Sequence, residues 1–203
     1  MTMSASPALL SSLSAAADCD LVTRAADGRE DGFEELVRRY QRPIAAYVYR
    51  MVGDYEAALD LTQEVFIKVY NSLRRYRSEF KFSTWIYKIA HNSAVDHLRR
   101  RGGREQALLR EFDGEQYDLP IESRRPSPEQ ESERAERRAE IEQVVSGLPS
   151  AYRELVVLRH SHDLSYDEIS EVTGLPLGTV KNRLFRAREV MRREFVGRGI
   201  TGV

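Results

Sequence analysis

Two stretches carry residues whose types and spacing fit nucleic-acid chemistry. The first is Phe82-Ser-Thr-Trp-Ile-Tyr-Lys-Ile-Ala-His-Asn-Ser-Ala-Val-Asp-His-Leu-Arg-Arg-Arg101. On a helical wheel at about 100° per residue, Phe82, Ile86, Ile89, Ala90 and Ser93 share an apolar or small face. Trp85, Lys88, Asn92, Asp96 and Arg99 form a neighbouring stripe, and Arg99-Arg100-Arg101 close the segment. An aromatic ring can stack on a base, an amide can pair with a base edge, and cations can meet phosphates. Together they equip a single-stranded nucleic-acid site. The same residues also fit an ordinary amphipathic helix with Trp85 in the core and arginines favoured at its C-terminus by the helix dipole.

The second stretch is Leu164–Arg188. Ser165 and Glu168 have capping-box spacing. A short helix is predicted to stop at Gly174, and a second one follows with apolar positions Leu177, Val180, Leu184, Ala187 and Met191. Short helix, glycine turn and cation-rich second helix make a helix-turn-helix. Thr179, Asn182 and Arg186 lie on its free face, flanked by Lys181 and Phe185. Arg186 suits bidentate pairing with guanine, Asn182 suits hydrogen bonds to base edges, and Phe185 suits contact with a thymine methyl.

The remaining elements must position these two stretches. Asp18 is placed to cap a short helix, Cys19–Ala26, which Asp27-Gly28 ends. A longer helix from about Asp31 shows Phe33, Leu36, Val37, Tyr40, Ile44, Tyr47 and Val48 at helical spacing, with a kink expected near Tyr40 because Pro43 interrupts the ladder. Gly53-Asp54 stops it and starts a third helix, Tyr55–Leu73. There Leu59, Thr62, Phe66, Val69 and Leu73 are read as a buried seam. Asp60, Glu64 and Ile67 form another stripe, with Gln63 beside it. Arg74–Lys81 is a loop with four cations, two aromatics and one acid. Gly102-Gly103 terminates the fourth helix. From Arg104 the pattern dissolves into Pro and Gly signals and accumulating acids. Helical spacing resumes with Ile141, Val144, Val145 and Leu148, and Pro149 opens a helix bearing Tyr152, Leu155, Val156 and Leu158. The fold class is therefore all-α: two small helical domains joined by a flexible acidic linker, the C-terminal one a helix-turn-helix. The expected divisions are a disordered tail 1–17, a first domain 18–102, the linker 103–133, a second domain 134–197 and a tail 198–203.

Composition agrees with contacts to a polyanion that are local, not global. The formal net charge is −1, yet Ser72–Arg110 holds ten Lys/Arg against three Asp/Glu, Glu111–Glu142 five against eleven, and Pro176–Arg198 seven against two. Two basic segments separated by an acidic one point to two nucleic-acid contacts and a solvated spacer. The lone cysteine, Cys19, excludes an intrachain disulfide and a cysteine-based zinc site. Met1–Ala17 lacks the charged and apolar regions of a signal peptide, and no apolar run approaches a membrane span, so a cytoplasmic setting is expected. His91, His97, His160 and His162 lack the companions of a metal site. Without a glycine-rich phosphate loop or a nucleophile elbow, no enzyme, cofactor or metal is expected.

A single-strand-type site followed by a duplex-reading helix-turn-helix suits promoter recognition and opening. Asp60-Leu-Thr-Gln-Glu-Val-Phe66, Phe82–Asn92 with Asp96 and Arg99–Arg101, and Leu164–Arg188 together resemble a bacterial sigma factor of the extracytoplasmic-function type. The resemblance covers roughly Asp18–Arg101 and Glu133–Val196. It implies that Asp60, Gln63, Glu64, Phe66 and Ile67 dock on core RNA polymerase at the β′ clamp helices, with the β flap as a further polymerase contact. It implies that Phe82–Arg101 melts the −10 element. A non-template base would then flip out beside the loop holding Arg74 and Arg75, and Phe82, Trp85, Lys88, Asn92, Asp96, Arg99 and Arg100 would lie at the strand. The −35 element would be read as duplex by Thr179, Lys181, Asn182, Arg183, Phe185 and Arg186. Arg101 and Arg188 join Arg99, Arg100 and Arg183 as phosphate candidates. The implied partners are core polymerase, promoter DNA and an anti-sigma factor. The competing reading is a two-domain helix-turn-helix regulator that does not bind polymerase; its N-terminal domain would show a ligand pocket or phosphoacceptor site.

Overall fold

The computed structural model describes residues 16–77, 79, 81–100, 137 and 139–198. Residues 1–15 of the expected tail, the whole expected linker 103–133, Arg101, the Gly102-Gly103 stop and residues 199–203 lie outside the described residues. Within them the secondary structure is helical, without a strand.

The first unit comprises α1 (Asp18–Ala26), α2 (Glu30–Val52), α3 (Tyr55–Ser72), a 3-10 turn (Leu73–Arg75) and α4 (Phe82–Arg100). Its core gathers one face from each helix: Leu21 and Val22; Leu36, Ile44, Tyr47 and Val48; Leu61, Val65 and Val69; and Phe82, Ile86, Tyr87 and Ala90. Helix α2 runs through Pro43 as one element and ends at Gly53, whose φ of 73° is the left-handed conformation that glycine adopts without a Cβ penalty. Asp54 then caps α3 by accepting from the Ala57 amide at 3.1 Å.

Two expectations need correction. Asp18 does not cap α1. It is the first helical residue, and Ala17 occupies the cap without a side-chain bond. The carboxylate instead accepts from Arg39 Nη1 at 2.7 Å and from the Tyr40 hydroxyl, tying α1 to α2. Leu59 does not belong to the buried seam of α3, which is Ala58, Leu61, Thr62, Val65, Phe66 and Val69. Leu59 points about 90° away from the centre of that face and is exposed.

Glycine is required at position 32, where α1 crosses α2. A Cβ there would lie 2.7 Å from the Leu21 carbonyl oxygen and 2.9 Å from Arg24 Cβ. The crossing is further held by the Arg24–Asp31 ion pair at 2.6 Å. Glu35, buried nearby, is held ionised by hydrogen bonds first from Arg38 and then from Arg39, which outweigh its burial and lower its pKa.

The second unit comprises a helical stretch over 139–146, α5 (Ser150–His160), α6 (Tyr166–Thr173) and α7 (Leu177–Gly197). Arg153 is buried and donates to the carbonyls of Ser146 (2.5 Å) and Leu148 (2.9 Å), closing the C-terminal end of the 139–146 stretch onto α5. At α6 the capping box forms in both directions: the Glu168 amide donates to Ser165 Oγ at 3.2 Å, and the Ser165 amide donates to Glu168 Oε2 at 2.7 Å. Gly174, at φ 72°, ends α6, and α7 packs back through Val180, Leu184 and Ala187. The helix-turn-helix is thus built as its sequence predicts.

The two units are packed against each other. Helix α6 lies on α4 and α5 lies on α2, so that Leu155, Val156 and Ile169 join the same apolar cluster as Tyr47 and Tyr87.

Candidate nucleic-acid interface

Three surfaces carry the residues singled out from the sequence. On α3, Asp60, Gln63 and Glu64 are exposed and Ile67 is 61% exposed. Leu59 and Tyr70 extend this stripe with apolar surface that the sequence reading left out. A large apolar side chain left in water among carboxylates fits a docking face better than a merely solvated one. Phe66 stands apart from it. It is 8% exposed and faces the core, edge-on to Phe33 with ring centroids 6.5 Å apart.

On α4, Asn92, Asp96, Arg99 and Arg100 are exposed on the outer turns, as are Arg74 and Arg75 on the preceding 3-10 turn. Asp96 and Arg99 approach within 3.8 Å, a loose exposed pair. Phe82, expected at the strand, is only 2% exposed and lies in the core, out of reach of a strand on the surface. It sits between Tyr40 (5.2 Å), Tyr76 (5.9 Å) and Trp85 (5.7 Å). Trp85 is half-buried, tilted against Tyr76 at 5.2 Å. The indole thus packs on the aromatic cluster and is left partly exposed. Tyr76 lies in the cationic loop and was not singled out from the sequence. Its spacing from Phe82 and Trp85 becomes visible only once the loop is folded onto α4.

Lys88 is not free. Its ammonium meets Glu171 of α6 at 3.1 Å. One turn earlier, Glu168 Oε1 accepts from Thr84 Oγ1 at 3.1 Å and lies 3.2 Å from Lys81 Nζ. Burial raises the Glu168 pKa, but hydrogen bonds from Ser165, Lys81 and Thr84 outweigh it and hold the carboxyl below its ordinary value. Beneath this zipper a polar joint links the units. Glu154 of α5 accepts from Tyr47 at 2.8 Å and meets His91 Nδ1 at 2.7 Å, while Tyr87 and His162 Nδ1 are 2.6 Å apart. Burial is the main cause that raises the Tyr47 and Tyr87 phenols, so both remain neutral donors. Burial first, and the Arg50 charge second, push His162 down to about 4. None of these joint residues could be paired from the sequence, because they lie far apart in the chain and carry no local pattern.

On α7, Lys181, Asn182, Arg186 and Arg188 are exposed and Phe185 is 62% exposed, while Thr179 and Arg183 are half-buried at the edge of the same face. An outward phenylalanine beside two cations and an amide is the pattern of a base-reading helix. Arg188 lies off that face and donates to the Tyr166 hydroxyl at 2.9 Å. Among the described residues, no group of histidine, cysteine and carboxylates could hold a metal ion, and no helix is long and apolar enough to cross a membrane.

Comparison with known proteins decides the family. Residues 36–104 match the Sigma-70 region 2 model and residues 138–191 match the Sigma-70, region 4 model. The chain is 38% identical over 182 residues to the RNA polymerase sigma-H factor of Pseudomonas aeruginosa, covering 86% of this chain and 91% of that protein. It is 34% identical over 169 residues to the ECF RNA polymerase sigma factor SigW of Bacillus subtilis, covering 82% and 90%. The chain belongs to the ECF RNA polymerase sigma factors. As an ECF sigma factor it is a promoter-recognition factor that directs transcription initiation, and not an enzyme. The region 2 match holds α3 and α4, and the region 4 match holds the helix-turn-helix. The fold is shared with CnrH, solved in complex with the cytosolic domain of CnrY (TM-score 0.61, 21% identity, 90% of this chain and 99% of that one). It is shared too with the sigma factor RpoE of Bartonella quintana, solved in complex with the anti-sigma factor NepR (TM-score 0.60, 18% identity, 80% and 96%).

Proposed function

We propose a division of labour among these surfaces. The exposed α3 stripe of Leu59, Asp60, Gln63, Glu64 and Ile67 docks on the clamp helices of core polymerase. Trp85 and Asn92 on α4, with the loop from Arg74 to Lys81, capture the −10 non-template strand in the cytoplasm. Lys181, Asn182, Phe185 and Arg186 on α7 read the −35 duplex, with Arg99, Arg100 and Arg183 on phosphates. The observation that supports this most directly is the exposure of Phe185 and Ile67. Each is a large apolar side chain held in water among charged neighbours, one on α3 and one on the second helix of the helix-turn-helix. An anti-sigma factor is a further expected partner, since the RpoE structure is a complex with one.

The test is run-off transcription with core polymerase on genomic fragments, followed by a permanganate footprint of unpaired thymines at the mapped start. Trp85→Ala is expected to leave −35 duplex binding intact and to weaken the footprint. An unchanged footprint removes Trp85 from strand capture. Absence of any transcript, together with failure to co-elute with core polymerase, overturns the assignment of surfaces.

A further inference from the structure

Helices α2 and α5 meet at the seam between the units, and a cavity of about 20 Å³ lies between them. Its wall takes Tyr47 and Arg50 from α2, one turn apart, and Ser150, Arg153 and Glu154 from one face of α5. Three features make it electropositive. The first is Arg153. It is 8% exposed, its guanidinium donates to the carbonyls of Ser146 and Leu148, and it forms no ion pair among the described residues. Its Nε is buried without a hydrogen-bond partner among those residues. A buried cation is ordinarily paired, because leaving water costs it more than neutral acceptors return. Burial first, and the Arg50 charge second, accordingly lower the Arg153 pKa. The second feature is Ser150, the first residue of α5, whose Oγ is likewise buried without a partner among the described residues. The third is the helix end itself. Pro149 holds the cap position, so no side-chain cap answers the positive end of the α5 dipole. The carboxylate on the wall is already engaged: Glu154 accepts from Tyr47 at 2.8 Å and meets His91 at 2.7 Å. Arg50 reaches Glu142 at 2.6 Å.

We propose that this cavity is a halide site: one chloride ion sits at the N-terminus of α5, accepts from Ser150 Oγ and Arg153 Nε, faces Arg50, and ties α5 to α2. Size selects the ligand. On the scale where one water needs about 10–15 Å³, the cavity admits a single small ion and excludes sulfate, phosphate and a nucleotide. The donors select the charge. A hydroxyl, a guanidinium N–H, a second guanidinium and a helix N-terminus favour an anion over a neutral water. The site lies apart from the surfaces assigned to polymerase and DNA, so its occupancy can be read without either.

The full chain is titrated with sodium chloride against sodium gluconate at constant ionic strength. The chloride NMR line width and the thermal melting midpoint are followed together. A saturable excess broadening is expected, displaced by bromide and not by sulfate. The midpoint should rise by roughly 3–6 °C once chloride stands about ten-fold above half-saturation. Ser150→Asp sets a carboxylate in the first turn of α5, where the ion sits. It is expected to abolish the broadening and to make the midpoint independent of chloride, at or above the parent's value in chloride. A line width that grows without saturating, or a parent midpoint equal in chloride and gluconate, overturns the proposal and leaves water in the cavity. Equal saturable broadening by the parent and by a folded Ser150→Asp chain places the ion elsewhere and overturns it as well.

Discussion

Acidification is expected to loosen the joint between the two units, and His162 sets the size of the effect. Its ring lies against Tyr87 with centroids 4.4 Å apart and edge-on to Tyr47 at 6.5 Å, its Nδ1 is 2.6 Å from the Tyr87 hydroxyl, and its Nε2 is buried without a partner among the described residues. The charges that act on it are Arg50, which lowers its pKa, and Asp163, which raises it by less. The packed form therefore holds the imidazole at about 4, whereas a separated unit returns it to the ordinary 6.5. A lowered pKa in the packed form means that the separated form binds the proton more readily. Packing is thus fully supported above pH 6.5 and weakens as pH falls from there toward 4. Between pH 7.5 and 5.5 the equilibrium should shift about ten-fold toward separation, or about 1.4 kcal/mol. The assay is hydrogen exchange along α4 and α6, supported by the emission of Trp85, the chain's only tryptophan, beside the contact. His162→Asn should flatten the pH dependence. The reasoning is refuted if acidification protects the joint, or if the dependence survives in that variant.

Other perturbations separate the remaining surfaces. Asn182→Ala and Arg186→Ala should each cost about 1–3 kcal/mol of discrimination between the −35 duplex and a scrambled one, measured by competition binding; equal loss on both would make them phosphate contacts. Asp60→Lys with Glu64→Lys should abolish co-elution with core polymerase while circular dichroism and melting stay those of the parent, because both side chains are exposed. Gly32→Ala should destabilise the first unit by about 1–3 kcal/mol in urea unfolding, since its Cβ would press on the Leu21 carbonyl at 2.7 Å. A midpoint equal to the parent's would mean that α1 yields at no cost.

What the sequence determined by itself was local. Apolar residues at three- and four-residue spacing define the helices, and Gly53, Gly174, Asp54 and the Ser165–Glu168 box place their ends, because a cap or a left-handed turn depends on side chains only a few residues apart. The outward face of α7 was legible for the same reason: once Val180, Leu184 and Ala187 point inward, Asn182, Phe185 and Arg186 must point out. The spacing failed where a residue lies near the edge of a face. Leu59 was assigned inward with Thr62, Phe66 and Val69 but is exposed, and only the position of α2 against α3 decides which flank is covered. Tertiary structure alone set Phe82 beneath Trp85, brought Tyr76 into that cluster and joined His91 to Glu154 and His162 to Tyr87. It alone placed Glu168 and Glu171 over Lys81, Thr84 and Lys88. The pairings between the two units link residues 63 to 87 positions apart. At such separations a carboxylate carries no sign in the sequence of which cation it will face, and helix packing decides it.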